Sequence, residues 1–99
     1  MRVTYHREAD AELIAAAHYY AARAPGLGAD FLDEIDRVVE LMRAHPTRFP
    51  SLPDDPDTQF ALCKRFPYGV LFRQMPNDEI RILAVKHHRR DPDYWRSRR

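Results

Sequence analysis

The sequence holds one cysteine, three glycines and two serines in 99 residues, and each scarcity removes a class of function. The lone Cys63 cannot form an internal disulfide, so nothing calls for an oxidising compartment. The longest purely apolar run is Leu13 to Ala17, five residues against the ~20 that a membrane span needs. The opening MRVTYHREAD turns charged where a secretory leader turns apolar, so the expected location is cytoplasmic, with no membrane role. No glycine stands in a GxxxxGK context, which removes the phosphate-cradling loop. There is no CxxC or HExxH spacing, and the adjacent His87 and His88 point to opposite faces of a strand. Neither a metal site nor a cofactor is therefore expected. Ser51 and Ser97 are the only serines, and neither sits in a nucleophile elbow. Cys63 lies in an apolar stretch, which makes it a packed, inert thiol rather than a nucleophile.

What is present is a chain of single-domain size, residues 1–99, with the 44% hydrophobic and 31% charged balance of a folded globular protein. Its net charge of +1 conceals a division. Residues 1–57 carry six arginines and no lysine against eleven acids, whereas residues 58–99 carry ten lysines and arginines against four. One acidic and one basic face are expected.

MRVTY alternates in the manner of a short strand. Ala9, Leu13, Ala16 and Tyr20 then recur at helical spacing, and Pro25-Gly26-Leu27-Gly28 interrupts them. Leu27, Phe31, Ile35, Val38 and Met42 form a second helical stripe, which Pro46 ends. Two amphipathic helices with so short a break fold back as an antiparallel hairpin. Residues 46–57, with four prolines and three aspartates, read as an irregular connector. Phe60–Phe66, Tyr68–Arg73 and Glu79–His87 read as three strands separated at hairpin lengths. Asp91-Pro92 reads as a cap and first position of a short C-terminal helix. The fold class is therefore α+β, order β-α-α-β-β-β-α, with a helical hairpin packed on a small antiparallel sheet. The other sheet face is left for partners.

The chemistry left by elimination lies in the basic, aromatic second half. Lys64, Arg65, Arg73, Lys86, His88, Arg89, Arg90 and Trp95 are candidates for binding a nucleic acid or an acidic protein segment. Arg96, Arg98 and Arg99 form a basic tail. Metal-free RNA cleavage needs proton-transfer groups and cations on the phosphate, and Arg81, His87 and Tyr94 are the residues that could supply them. In the alternative, these residues organise the fold: His87 bonds to the backbone near Asp91, Tyr68 packs on Trp95, and Arg90 pairs with an acid.

The segments Arg65-Phe66-Pro67-Tyr68-Gly69-Val70 and Ala84-Val85-Lys86-His87-His88-Arg89-Arg90-Asp91-Pro92-Asp93-Tyr94-Trp95 closely resemble the RelE/ParE superfamily, the toxin halves of bacterial type II toxin–antitoxin modules. The likeness extends through Glu8-Ala9, Glu12-Leu13, Tyr19-Tyr20, Leu27-Gly28 and Phe31. It implies a cognate antitoxin that wraps the toxin, contact with operator DNA only through that antitoxin, and growth arrest when the antitoxin is lost. The matching pieces are most similar to the ParE-like branch, which implies inhibition of DNA gyrase, without enzymatic activity. The RelE-like alternative implies a metal-independent endoribonuclease that cleaves mRNA on the ribosome, and a third is a non-toxic co-repressor. Gln59 and Phe60 are uncharged where relatives often open this strand with arginine, which thins the cationic surface that RNA cleavage uses.

Overall fold

The computed structural model describes residues 1–98; Arg99 of the expected basic tail lies outside the described residues. The chain forms strand β1 (Arg2–Tyr5), helices α1 (Arg7–Arg23) and α2 (Leu27–Ala44), a 3-10 turn at Pro46–Arg48, and strands β2 (Ser51–Leu52), β3 (Asp55–Leu62), β4 (Tyr68–Met75) and β5 (Glu79–His87). The five strands make one sheet in the order β1-β5-β4-β3-β2. Strand β1 runs parallel to β5, while the other neighbours are antiparallel, so the sheet is mixed rather than wholly antiparallel.

Both helical stripes face the sheet as their spacing requires. Ala9 and Ala16 of α1, and Phe31, Ile35, Val38 and Met42 of α2, are buried with Val70, Phe72, Ile80, Ile82 and Val85. Truncating a buried aromatic such as Phe31 or Phe72 to alanine costs about 3–5 kcal/mol. The two helices approach closely because their contact residues are small. A Cβ on Gly28 would stand 2.6 Å from the Ala17 carbonyl oxygen, so only glycine fits there. Gly26 turns the hairpin at φ +80°, in the left-handed region that glycine enters at little cost. The β4–β5 turn uses Asn77 and Asp78 at φ 66° and 59°, the residue types that best tolerate that region.

Three local features differ from the sequence expectation, each for an identifiable reason. The connector is largely ordered: it contains the 3-10 turn, β2 and the start of β3. Pro56 is tolerated in β3 because pairing with β4 begins only at Gln59. Strand β3 ends at Leu62 rather than Phe66, because the Glu34 carboxylate on α2 accepts the Lys64 and Arg65 amides at 2.6 and 3.3 Å. The expected C-terminal helix is instead a series of turns over residues 92–97. The Trp95 indole N–H donates to the Pro92 carbonyl at 2.7 Å, occupying the acceptor that a first helical turn would use. The Arg96 and Arg98 amides then close tighter turns onto Asp93 and Trp95.

A bulge in β5 arranges the far side of the sheet. Leu71 pairs with Ala84 and Phe72 with Ile82, leaving Leu83 without a partner. Leu83 and Ala84 therefore both face away from the helices, where they pack with Leu71 and Trp95. The turns at 92–98 cover that second, smaller core.

Candidate functional site

The sheet face opposite the helices has two unlike ends. At the end near β1, three arginines meet two buried or half-buried acids. Glu79 accepts from Arg2 at 2.9 Å, Thr4 at 2.6 Å and Arg81 at 3.2 Å. Across the strands, Arg73 donates to Thr58 at 3.0 Å and Asp55 at 3.1 Å, and Thr58 itself donates to Asp55. Arg73 and Arg81 are directly opposite in register, a repulsive placement that these carboxylates offset. The hydroxyl and guanidinium donors hold Glu79 below the ordinary carboxylate value, and Thr58 with Arg73 does the same for Asp55. On the helix side of the same strands, Gln59 donates to the Pro46 and Phe49 carbonyls and accepts from Gln74.

The other end is an apolar cleft of about 330 Å³ whose walls include Leu52, Phe60, Leu62, Leu71 and Trp95. Trp95 is fully buried as its floor, whereas Leu62 is 58% exposed at its edge. Lys86, His88, Asp54 and Arg96 stand on its rim. Arg96 bridges Asp93 and Asp54, joining the C-terminal turns to the β2–β3 turn.

A third feature closes the free edge of β5. Strand β1 pairs with β5 only as far as Ile82, because the chain then turns into α1. Side chains replace the missing strand: Glu12 accepts the Val85 amide at 3.0 Å, and Arg98 donates to the Leu83 carbonyl at 2.9 Å. Glu12 also accepts from Arg98 through both its oxygens and from Arg90 at 2.9 Å. The Arg90 and Arg98 guanidinium groups both lie over the Tyr94 ring, at 3.7 and 4.9 Å from its centroid. Its hydroxyl is buried without a hydrogen-bond partner among the described residues, and burial, then the Glu12 charge, push its pKa upward.

The three residues considered for RNA cleavage are not brought together. Arg81 lies on the open face with Glu79, six positions and roughly 20 Å along β5 from His87. The bulge turns His87 to the helix side, edge-on to Tyr68 at 5.1 Å, with its Nδ1 accepting the Arg89 amide. Tyr94 is held in the Glu12–Arg98 knot. Of the binding candidates, Lys86, His88 and Trp95 share the apolar cleft. Arg65 pairs with Asp30, Arg73 with Asp55 and Arg90 with Glu12. Lys64 and Arg89 are exposed and make no ion pair among the described residues. His87 bonds to the backbone amide of Arg89, two residues before Asp91, and Arg90 pairs with an acid as expected, whereas Tyr68 and Trp95 lie on opposite sides of the sheet. Among the described residues no three His, Cys, Asp or Glu side chains converge as metal ligands would. No helix among the described residues is long and apolar enough to cross a membrane.

The model of the ParE toxin of the type II toxin–antitoxin system parDE matches residues 3–92. The chain belongs to this family. A solved structure described as the chromosomal ParDE toxin–antitoxin system from P. aeruginosa superposes with a TM-score of 0.73 at 22% identity, covering 88% of this chain and 95% of that one. That likeness carries the fold. No curated protein sequence matches the chain.

Within this ParE-family chain, the residues that sequence reasoning missed are those whose role depends on tertiary contact. Glu12 entered the sequence reading only as part of the first-helix resemblance, with no role assigned to it. Arg98 resembled a solvated tail residue, yet it is 6% exposed. Glu34 lies within an acidic helix, and its bidentate bond to Arg37, with the two backbone amides, lowers its pKa to about 2.

Proposed function

We propose that this chain is the toxin half of a type II toxin–antitoxin pair and arrests growth by inhibiting DNA gyrase through binding rather than chemistry. The family match over residues 3–92 carries the reading. The dispersal of Arg81, His87 and Tyr94 supports its second part, since general acid–base catalysis needs its groups within hydrogen-bond reach of one substrate. The cognate antitoxin is placed in the apolar cleft beside Trp95, with Lys86 and His88 on the rim favouring an acidic amphipathic segment.

The deciding experiment is induction without antitoxin, with plasmid supercoiling and reporter-mRNA primer extension read from one culture. Growth arrest with gyrase-linked DNA breaks and intact mRNA is the expected result. Codon-positioned mRNA cuts would transfer the assignment to an endoribonuclease, and unimpaired growth would leave a non-toxic co-repressor.

A further inference from the structure

One aromatic surface on the helix side keeps several hydrogen-bonding groups free of partners among the described residues. Where the α1–α2 hairpin meets the ends of β4 and β5, an open cleft of about 490 Å³ is walled by Tyr19, Tyr20, Tyr68 and His87, with Arg23 at its edge. The rings present faces and edges to one another: Tyr19 and Tyr20 are 5.2 Å apart at 79°, and Tyr68 and His87 are 5.1 Å apart at 81°. Tyr19 is 52% exposed, so its ring is accessible from solvent. Arg23 lies 4.9 Å from the Tyr19 ring and has no carboxylate partner among the described residues. None of the three tyrosine hydroxyls is hydrogen-bonded to a described residue. No carboxylate lines the cleft. His87 uses Nδ1 for the Arg89 amide, leaving Nε2 free.

A ligand that satisfies this surface needs a flat ring to lie between aromatic walls, acceptors for phenol and imidazole donors, and negative charge for one guanidinium. We propose that the Tyr19–Tyr68–His87 cleft binds an unpaired nucleotide, its base among the rings and its phosphate on Arg23. Base–aromatic stacking tolerates any base, because every base has a π-face, and it requires the base to be out of a duplex. Burial raises the pKa of both Tyr20 and Tyr68, so these phenols remain protonated donors at neutral pH. The site lies on the helix side of the sheet, away from the cleft assigned to the antitoxin. It is therefore independent of that assignment and of the gyrase reading.

The test is fluorescence anisotropy of the purified full chain with labelled single-stranded dT12, with the dA12·dT12 duplex and free AMP as competitors. Single-stranded dT12 is expected to bind at least tenfold more tightly than the duplex. Tyr19→Ala and Arg23→Ala should each weaken it about tenfold or more. Tyr68→Phe keeps the packed ring and removes only the hydroxyl, so a smaller loss is expected without risk to the fold. Competition by AMP would place a free nucleotide in the cleft; binding of the strand without competition would place a strand segment there. Equal affinity for single strand and duplex, or Lys64→Ala weakening binding as much as Arg23→Ala, would overturn the proposal in favour of unspecific charge attraction.

Discussion

The two ends of the open sheet face are built on adjacent stretches of the same strands, yet they differ in what they leave unsatisfied. Near β1, Arg2, Arg73 and Arg81 are held by Glu79 and Asp55. Near the C-terminal turns, Leu62, Phe60 and Trp95 surround an apolar cleft that no segment of the described chain fills. The density of positive charge therefore does not mark where the sheet face leaves apolar area uncovered. A cation with a fixed carboxylate partner stabilises the sheet, whereas an exposed leucine beside a buried tryptophan leaves area that association removes from water.

The largest effect should come from Glu12, which closes the free edge of β5 behind the apolar end. Glu12→Ala strands the buried Arg98 and the Val85 amide together, and breaking such a pair costs about 3–5 kcal/mol. Urea unfolding should register this loss, and because the same knot tethers the segment carrying Trp95, antitoxin affinity should fall as well. Next in size is Leu62→Glu, which places a charge at the lip of the apolar cleft. Its stability should stay within about 0.5 kcal/mol of the parent, while calorimetric affinity for the antitoxin drops at least about tenfold, as for a central apolar contact. Unchanged affinity would remove the antitoxin from this cleft.

At the polar end the pattern should reverse. Glu79→Gln should lower the thermal midpoint by several degrees and leave antitoxin affinity essentially intact. The acid dependence follows from the same bonds. Glu79 and Asp55 have folded-state pKa values below their ordinary ones, 4.5 and 3.8. Their contribution is therefore complete above those ordinary values and disappears as pH falls through the lowered ones. Urea midpoints measured from pH 7 down to about 3 should decline, and Glu79→Gln should make that decline shallower. The smallest signal belongs to neither end. Cys63 is 8% exposed, and burial raises its thiol to about 11. A thiol reagent should label it only as fast as the chain opens, which gives a reporter of unfolding common to all the variants.

Much of the architecture was legible because it follows from periodicity. Phe31, Ile35, Val38 and Met42 step at helical spacing, and all four are buried. The alternation in β4 and the first part of β5 likewise places Val70, Phe72, Ile80 and Ile82 under the helices. Chain ends and capping were less legible. The Glu34 carboxylate decides where β3 stops, and the Trp95 indole decides that residues 92–97 turn rather than wind. Each acts through a bond to backbone that lies close only after folding. The candidate site was the least legible part. Of the eight binding candidates read from the sequence only Lys86, His88 and Trp95 line one cleft, and Phe60 and Leu62 read as ordinary strand residues. Arg98 and Glu12 are 86 positions apart and became partners only through the fold.

The unpaired Leu83 has a bearing on how relatives of this chain are compared. Because it adds one position to β5 alone, residues before it and after it obey opposite parities: Arg81 faces outward and His87 inward, though an even number separates them. Two homologues that differ by a single-residue gap at this point carry the same letters in their final strand on opposite sides of the sheet. Aligning their histidines would equate groups that never meet the same molecule. Within the family, a functional assignment therefore transfers along this strand only between members that share the extra residue.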